Sequence, residues 1–123
     1  MLELDLPFPV PLSQYCSHTR QGRKYITNKG VKYRKAVVKA LEGAQKQEGM
    51  LALFVVMWPK DRRRRDLDNH AGKALLDALK HGGAYDDDSQ IVALSSRWEI
   101  ENGEIKRHPE GLIHVRIVQA GGS

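Results

Sequence analysis

The stretch whose reading decides the fold is MLALFVVMWPKDRRRRDLDN, residues 50–69. Its first nine residues, Met50 to Trp58, form an unbroken apolar run that Pro59 closes. The run is short, bulky and partly β-branched, which predicts a central strand buried on both faces. The second half has the opposite character. Four arginines, Arg62 to Arg65, lead directly into Asp66-Leu67-Asp68-Asn69. An extended chain alternates its side chains, so Asp66 and Asp68 point one way and Leu67 points into the core. On a helix, positions two apart diverge by about 200° and could not share a ligand. Asn69 suits a helix N-cap, so a helix is expected to start near it with the carboxylate pair at its mouth.

Upstream of this stretch, Leu2 to Leu6 alternates and reads as a strand, with Leu2, Leu4 and Leu6 facing the core. Pro7, Pro9 and Pro11 stop it. Ser17 to Thr27 is polar and basic around Gly22, a pattern that suits a loop or a β-ribbon. Asn28 is expected to cap the next helix, whose apolar face is Tyr33, Val37, Ala40, Leu41 and Ala44, with Gly49 ending the stretch. Downstream, Ala71, Leu75, Ala78 and Leu79 share a helical face, and Gly82-Gly83 supplies the stop. Ile91 to Ile100 reads as a strand and Asn102-Gly103 as a hairpin turn. Leu112 to Ala120 reads as a last strand with Ile113, Val115 and Ile117 on one face. The order β, ribbon, α, β, α, β, β predicts an α/β (α+β) fold. Residues 1–123 are expected to form a single domain with one mixed sheet and two helices.

Charge is distributed unevenly. The net charge of +5 is modest, but residues 17–65 hold 14 Lys and Arg against 3 Asp and Glu. Residues 66–123 hold 6 against 10, so the sign flips between Arg65 and Asp66. A basic half favours a polyanion such as DNA or RNA. An acidic half directly after it needs something positive to sit near the same phosphates, and a divalent cation meets that need. Cys16 is the only cysteine, which excludes an internal disulfide and a multi-thiolate zinc site. No apolar run approaches the roughly 18 residues of a membrane helix, and the acidic N-terminus is not signal-like. A cytoplasmic protein is expected.

The acidic residues fall in two clusters. Asp66 and Asp68 form the first, and Asp86, Asp87 and Asp88 the second, just before the strand at Ile91. Close carboxylates repel unless a cation joins them, and oxygen-only ligands suit Mg²⁺, with Mn²⁺ as a substitute. A strand–helix–strand path can carry the chain away and back, so the clusters can converge, although spacing alone leaves this open. Lys73, early in the intervening helix, can offset charge that builds on a phosphate. The arginine run Arg62, Arg63, Arg64 and Arg65, with Arg20, Arg23 and Lys24 of the basic stretch, is positioned to hold a phosphate backbone. Tyr15, Tyr25 and Tyr33 can pack on DNA, although Tyr33 also fits the core. The histidines show no metal-ligand spacing, and His70 reads as a surface residue.

Together these residues resemble the RusA family of Holliday-junction resolvases. The resemblance rests on PKDRRRRDLDN (Pro59 to Asn69), KALLDAL (Lys73 to Leu79) and DDSQ (Asp87 to Gln90), with LPFPVPLSQY, GRKYIT and KGVKYRKAV upstream. It implies a homodimer that binds four-way DNA junctions and makes Mg²⁺-dependent cuts. By the same motifs it implies that Asp66, Asp68 and Asp88 are catalytic and metal-binding, Lys73 is catalytic, and Asp87 is a supporting acid. Asp86 has no counterpart. Two departures stand out. The family places two residues between DLDN and the lysine, whereas His70-Ala71-Gly72 makes three here. In one regular helix that would turn Lys73 by about 100°, which a later helix start would undo. Gln14 stands where the family has asparagine.

The sequence therefore predicts metal-assisted hydrolysis of a DNA phosphodiester in branched DNA, with paired cuts that suit a twofold dimer. Two rival readings stand beside it. One is a non-catalytic nucleic-acid-binding module of the same fold. The other is a nuclease that prefers flaps or other branched DNA.

Overall fold

The computed structural model describes residues 1–61 and 72–121. Leu2–Leu6 forms strand β1, with Leu4 and Leu6 buried and Glu3 and Asp5 outward. After the prolines, Leu12–Tyr15 makes a single helical turn, α1, which the sequence reading lacked. Cys16–His18 (β2) and Lys24–Ile26 (β3) pair antiparallel, so the basic stretch is a ribbon. Thr19 and Arg23 close its tip: the Thr19 N–H donates to the Arg23 carbonyl at 2.8 Å. The Arg23 N–H donates back to the Thr19 hydroxyl at 3.1 Å.

Helix α2 spans Asn28–Ala40. Its cap is Thr27 rather than the expected Asn28, which is already the first helical residue. The Thr27 hydroxyl accepts from the Gly30 N–H at 3.1 Å and donates to the Gln14 carbonyl at 2.6 Å. It thus satisfies one free helix donor and also ties α2 to α1. Thr27→Ala is expected to cost about 1 kcal/mol, read as a lowered thermal midpoint, while Thr27→Ser keeps most of the stability. Gly30 is required for close approach. A Cβ there would meet the Tyr15 carbonyl oxygen at 2.3 Å, so only glycine lets α2 lie against α1. Tyr33 and Val37 are buried on the helix, and Leu41 is buried just beyond it. Ala40 and Ala44, expected on the apolar face, are exposed. The helix ends at Ala40, which lies at the open edge of the buried stripe, and Ala44 no longer follows the helical period.

The main sheet has the order β1, β8 (Leu112–Gln119), β4 (Leu51–Trp58), β5 (Ile91–Trp98). Strand β4 lies inside it, as the apolar run predicts. Strand β8 pairs antiparallel with both β1 and β4, and β5 runs parallel to β4. The sheet is therefore mixed. Ile113, Val115 and Ile117 of β8 share the buried face with Leu51, Leu53, Val55 and Met57 of β4. The core against that face includes Tyr33, Val37, Leu75, Ala78 and Leu79.

Burial on both faces of β4, however, is not what the structure shows. Phe54, on the other face, is 37% exposed, because the described helices pack on the opposite side of the sheet. The Arg116 guanidinium lies over the Phe54 ring at 5.0 Å from its centre, partly covering it. Ile100–Glu101 (β6) and Glu104–Ile105 (β7) form a small hairpin. Its turn is Asn102-Gly103, both at positive φ, as the dipeptide predicts.

Helix α3 spans Lys73–His81 and carries the predicted apolar face, with Leu75, Ala78 and Leu79 buried. It begins at Lys73 rather than near Asn69, because Gly72 at φ −99° and ψ −131° is not helical. Asn69, His70 and Ala71 lie outside the described residues. The Leu51 end of β4 pairs with Ile91, so β5 starts where β4 starts. The crossover through α3 therefore delivers Asp86 to Asp88 to the sheet end opposite Trp58. Asp66 and Asp68, the other half of the convergence that a strand–helix–strand path allows, lie outside the described residues.

Candidate active site

The second acidic cluster is held by its own short motif. Asp88–Gln90 forms one 3₁₀ turn before β5. The Gln90 side-chain oxygen accepts from the Asp86 and Asp87 N–H groups at 2.9 and 3.0 Å. Its amide donates to the Gly49 carbonyl at 2.9 Å, which fastens the loop to the start of β4. Gln90 is thus the organiser of the cluster, a role the sequence reading did not give it. The signal was present, since an acidic cap followed three residues later by glutamine is a capping-box pattern.

The three aspartates have different surroundings. Asp86 is exposed and pairs with Lys46 at 2.7 Å. Asp87 accepts from the Ser89 hydroxyl at 2.9 Å, with Lys80 at 3.9 Å. The Ser89 hydrogen bond, aided by Lys80, lowers the Asp87 pKa. Asp88 is the one turned inward. Its Oδ1 is buried and finds no hydrogen-bond partner among the described residues. An unsatisfied buried carboxylate oxygen costs free energy, and a cation would offset that cost. The donor chemistry at Asp88 therefore fits a divalent metal.

Tyr85 connects this carboxylate to α3. It is 1% exposed, and its hydroxyl donates to the Leu76 carbonyl at 2.6 Å. Burial first, and then the negative charge of Asp88 beside it, push the Tyr85 pKa well above the usual phenol range. Leu76 follows Lys73 by three residues. Lys73 itself is exposed at the first helical position. A cation there opposes the positive end of the helix dipole, at a cost of about 0.3–1 kcal/mol. Among the described residues no side chain caps this helix start either. Gly72 is not helical, so α3 starts at Lys73 itself, the later helix start that the extra residue calls for.

One residue on from Leu76, α3 is locked by a three-residue cluster. Arg34 donates through Nη2 to Asp77 Oδ2 at 2.7 Å and through Nε to the Tyr15 hydroxyl at 2.8 Å. The Tyr15 hydroxyl donates to the same Asp77 oxygen. Burial, followed by the hydrogen bond to Asp77, lifts the Tyr15 pKa to about 12. Burial tends to raise the Asp77 pKa, but the hydrogen bonds from Tyr15 and Arg34 outweigh it and lower the value. Lys24 of the ribbon lies near enough to add to that lowering. The middle of α3 is thus the place where α1, α2 and the Asp88 loop meet.

A family model described as Endodeoxyribonuclease RusA matches residues 7–117. The chain belongs to the RusA family. It is 37% identical over 92 residues to the crossover junction endodeoxyribonuclease of Enterobacteria phage 82, covering 72% of this chain and 75% of that one. It is 36% identical over 92 residues, with the same coverage, to the protein of that name from Escherichia coli strain K12. The phage HK97 relative of the same name is 40% identical over 89 residues, 70% of this chain and 72% of its own.

Of the RusA motif residues, the described structure places Lys73 at the start of α3, with Asp87 and Asp88 on the loop beside that helix's second half. Tyr85 lies between the helix and Asp88. Arg20, Arg23 and Lys24 are exposed on the ribbon. Asp66, Asp68 and the run Arg62 to Arg65 lie outside the described residues. Among the aromatic candidates, Tyr25 is 48% exposed and open to a ligand. Tyr33 is in the core, as its helical position suggests, with its hydroxyl donating to the Pro7 carbonyl at 3.0 Å. Tyr15 is 2% exposed, which removes it from any DNA-facing role. Its hydroxyl instead completes the Arg34–Asp77 pair.

Proposed function

We propose that this chain is a crossover junction endodeoxyribonuclease that resolves four-way DNA junctions by metal-assisted phosphodiester hydrolysis. The family match carries the reading, since its span, residues 7–117, contains every residue of the acidic and basic motifs. The exposed basic ribbon and the inward-turned Asp88 support it. Asp66, Asp68 and Asp88 would hold Mg²⁺, with Mn²⁺ as a substitute. When bound, the metal supplies a Lewis acid for the phosphoryl oxygen and a water of lowered pKa.

The chain's own groups do the rest. Arg62 to Arg65 with Arg20, Arg23 and Lys24 hold the phosphate backbone, and Lys73 offsets charge that develops on the scissile phosphate. Asp87 stays paired to Ser89 and Lys80 and steadies the Asp88 loop. Two symmetry-related cuts call for a twofold homodimer that presents one such site to each strand. No helix among the described residues is long and apolar enough to cross a membrane. A cytoplasmic location is part of the same reading.

The test is cleavage of a synthetic four-way junction, a flap and a linear duplex at one salt concentration, with Mg²⁺ and with chelator. Paired cuts in the junction, lost with chelator, are the expected result. Binding without cutting would favour a non-catalytic module, and preferred cutting of the flap would favour a nuclease of other specificity.

A further inference from the structure

Two neighbouring concavities on the helical side of the molecule share Arg34 and His81. The inner one is lined by Asp77, Lys80, Tyr85 and Asp86 and so reaches the residue that touches Asp88. The outer one lies along α2, lined by Val31, Lys35, Val38, Lys39 and Glu42. Together they make an open trough that leads from the Asp88 loop to the outer face of α2.

Charge along the trough is graded. In the inner part each carboxylate has a cation: Arg34 on Asp77 at 2.7 Å and Lys46 on Asp86 at 2.7 Å. The outer part is different. Helix α2 contains five Lys and Arg and no acidic residue. Lys32, Lys35 and Lys39, at spacings of three and four, share one face, and all three are exposed. None of the three makes an ion pair among the described residues. Glu42, beyond the helix end, is the one acid lining the outer concavity. An unneutralised row of this kind is retained at a cost in self-repulsion, which a polyanion would relieve. The row spans about 10 Å along the axis, enough to face about three phosphates of one strand.

We propose that the α2 face carrying Lys32, Lys35 and Lys39 is a second DNA-binding surface, one that holds the phosphate backbone of a junction arm as it leaves the Asp88 loop. This rests on the resolvase reading and extends it to a helix outside the proposed DNA-binding residues. The surface contacts no bases, so it adds affinity and sets the direction of the arm without sequence preference.

The test compares the full-length wild type with Lys35→Gln/Lys39→Gln in metal-free buffer. Binding is followed by fluorescence anisotropy on labelled four-way junctions with arms of about 15 or about 5 base pairs across a salt series. On long arms the variant is expected to lose about two counterions from the slope of log affinity against log salt, with affinity down about 10- to 100-fold near 0.1 M salt. On short arms the two proteins should bind alike. An unchanged slope on long arms, or an equal loss on short ones, would overturn the proposal. Circular dichroism melting is expected to be unchanged, because both lysines are exposed and unpaired. If wild type shows no preference for the junction over linear duplex, the resolvase reading fails. The slope difference measured on long duplex then still decides whether α2 is a DNA surface.

Discussion

Asp88→Asn is expected to remove cutting while leaving stability close to that of wild type. Loss of one anionic ligand from a metal-assisted centre forfeits several kcal/mol of transition-state stabilisation, so a rate loss of about a thousandfold or more is expected. Stability should change little. Asp88 Oδ1 is buried without a hydrogen-bond partner among the described residues. An unsatisfied buried polar group costs about 1–3 kcal/mol, and the cost is greater when it is charged. Asparagine keeps the shape but leaves a polar atom at the same buried position, so the metal-free variant should stay within about 1 kcal/mol of wild type. Mg²⁺ should then raise the melting temperature of wild type and not that of the variant, a readout independent of cleavage. Asp68→Asn should match it in lost cutting with binding retained. Wild-type cleavage by either variant would remove that residue from the proposed metal set.

Asp88 also shows where sequence reasoning reached its limit. The core strand, the ribbon, the hairpin at Asn102-Gly103 and the α3 face were legible, because each depends on local period or turn chemistry that a single segment carries. Burial on both faces of β4 was not. An apolar run shows that a strand can be covered twice, but only the supply of other elements decides whether it is. Here the described helices fill one face, leaving Phe54 to Arg116. The cap at Thr27 was one residue off because both Thr27 and Asn28 can cap, and the contact of Thr27 with the Gln14 carbonyl is tertiary.

The candidate site divides in the same way. The acidic clusters and Lys73 were visible as patterns. The inward turn of Asp88 and the outward pairing of Asp86 and Asp87 were not, since three adjacent aspartates look alike until Gln90 fixes their backbone. Tyr15 was misplaced on the DNA face because aromatic residues beside basic ones fit both roles. Its true partners, Arg34 and Asp77, are 19 and 62 residues away.

That Tyr15–Arg34–Asp77 cluster carries the largest stability effect expected of any polar side chain on α3. Asp77→Ala leaves the Arg34 guanidinium without its carboxylate and the Tyr15 hydroxyl without its acceptor. Breaking a fully buried pair costs about 3–5 kcal/mol, whereas exposed pairs are worth about 0–1. Here the Arg34 and Asp77 side chains are 22% and 37% exposed, so the loss lies between these limits. About 2–3 kcal/mol is expected, which for a domain of this size lowers the melting temperature by about 10 °C. Asp77→Asn keeps an acceptor for Tyr15 and should lose less. Because the folded-state pKa of Asp77 is lowered, its ionic contribution is complete above the unfolded carboxylate value near 4 and fades as pH falls through the lower folded value. The melting difference between wild type and Asp77→Asn should therefore be constant from about pH 5 to 8 and close below about pH 4. A difference that does not narrow at all as pH falls below about 4 would mean that the pair acts through packing instead of charge. Replacing both partners, as in Arg34→Met/Asp77→Leu, should recover part of the loss seen with Asp77→Ala, because it removes the stranded cation as well. If the repaired protein is stable but cuts junctions slowly, the cluster's value lies in holding α3, and Lys73 at its start, against α1 and α2.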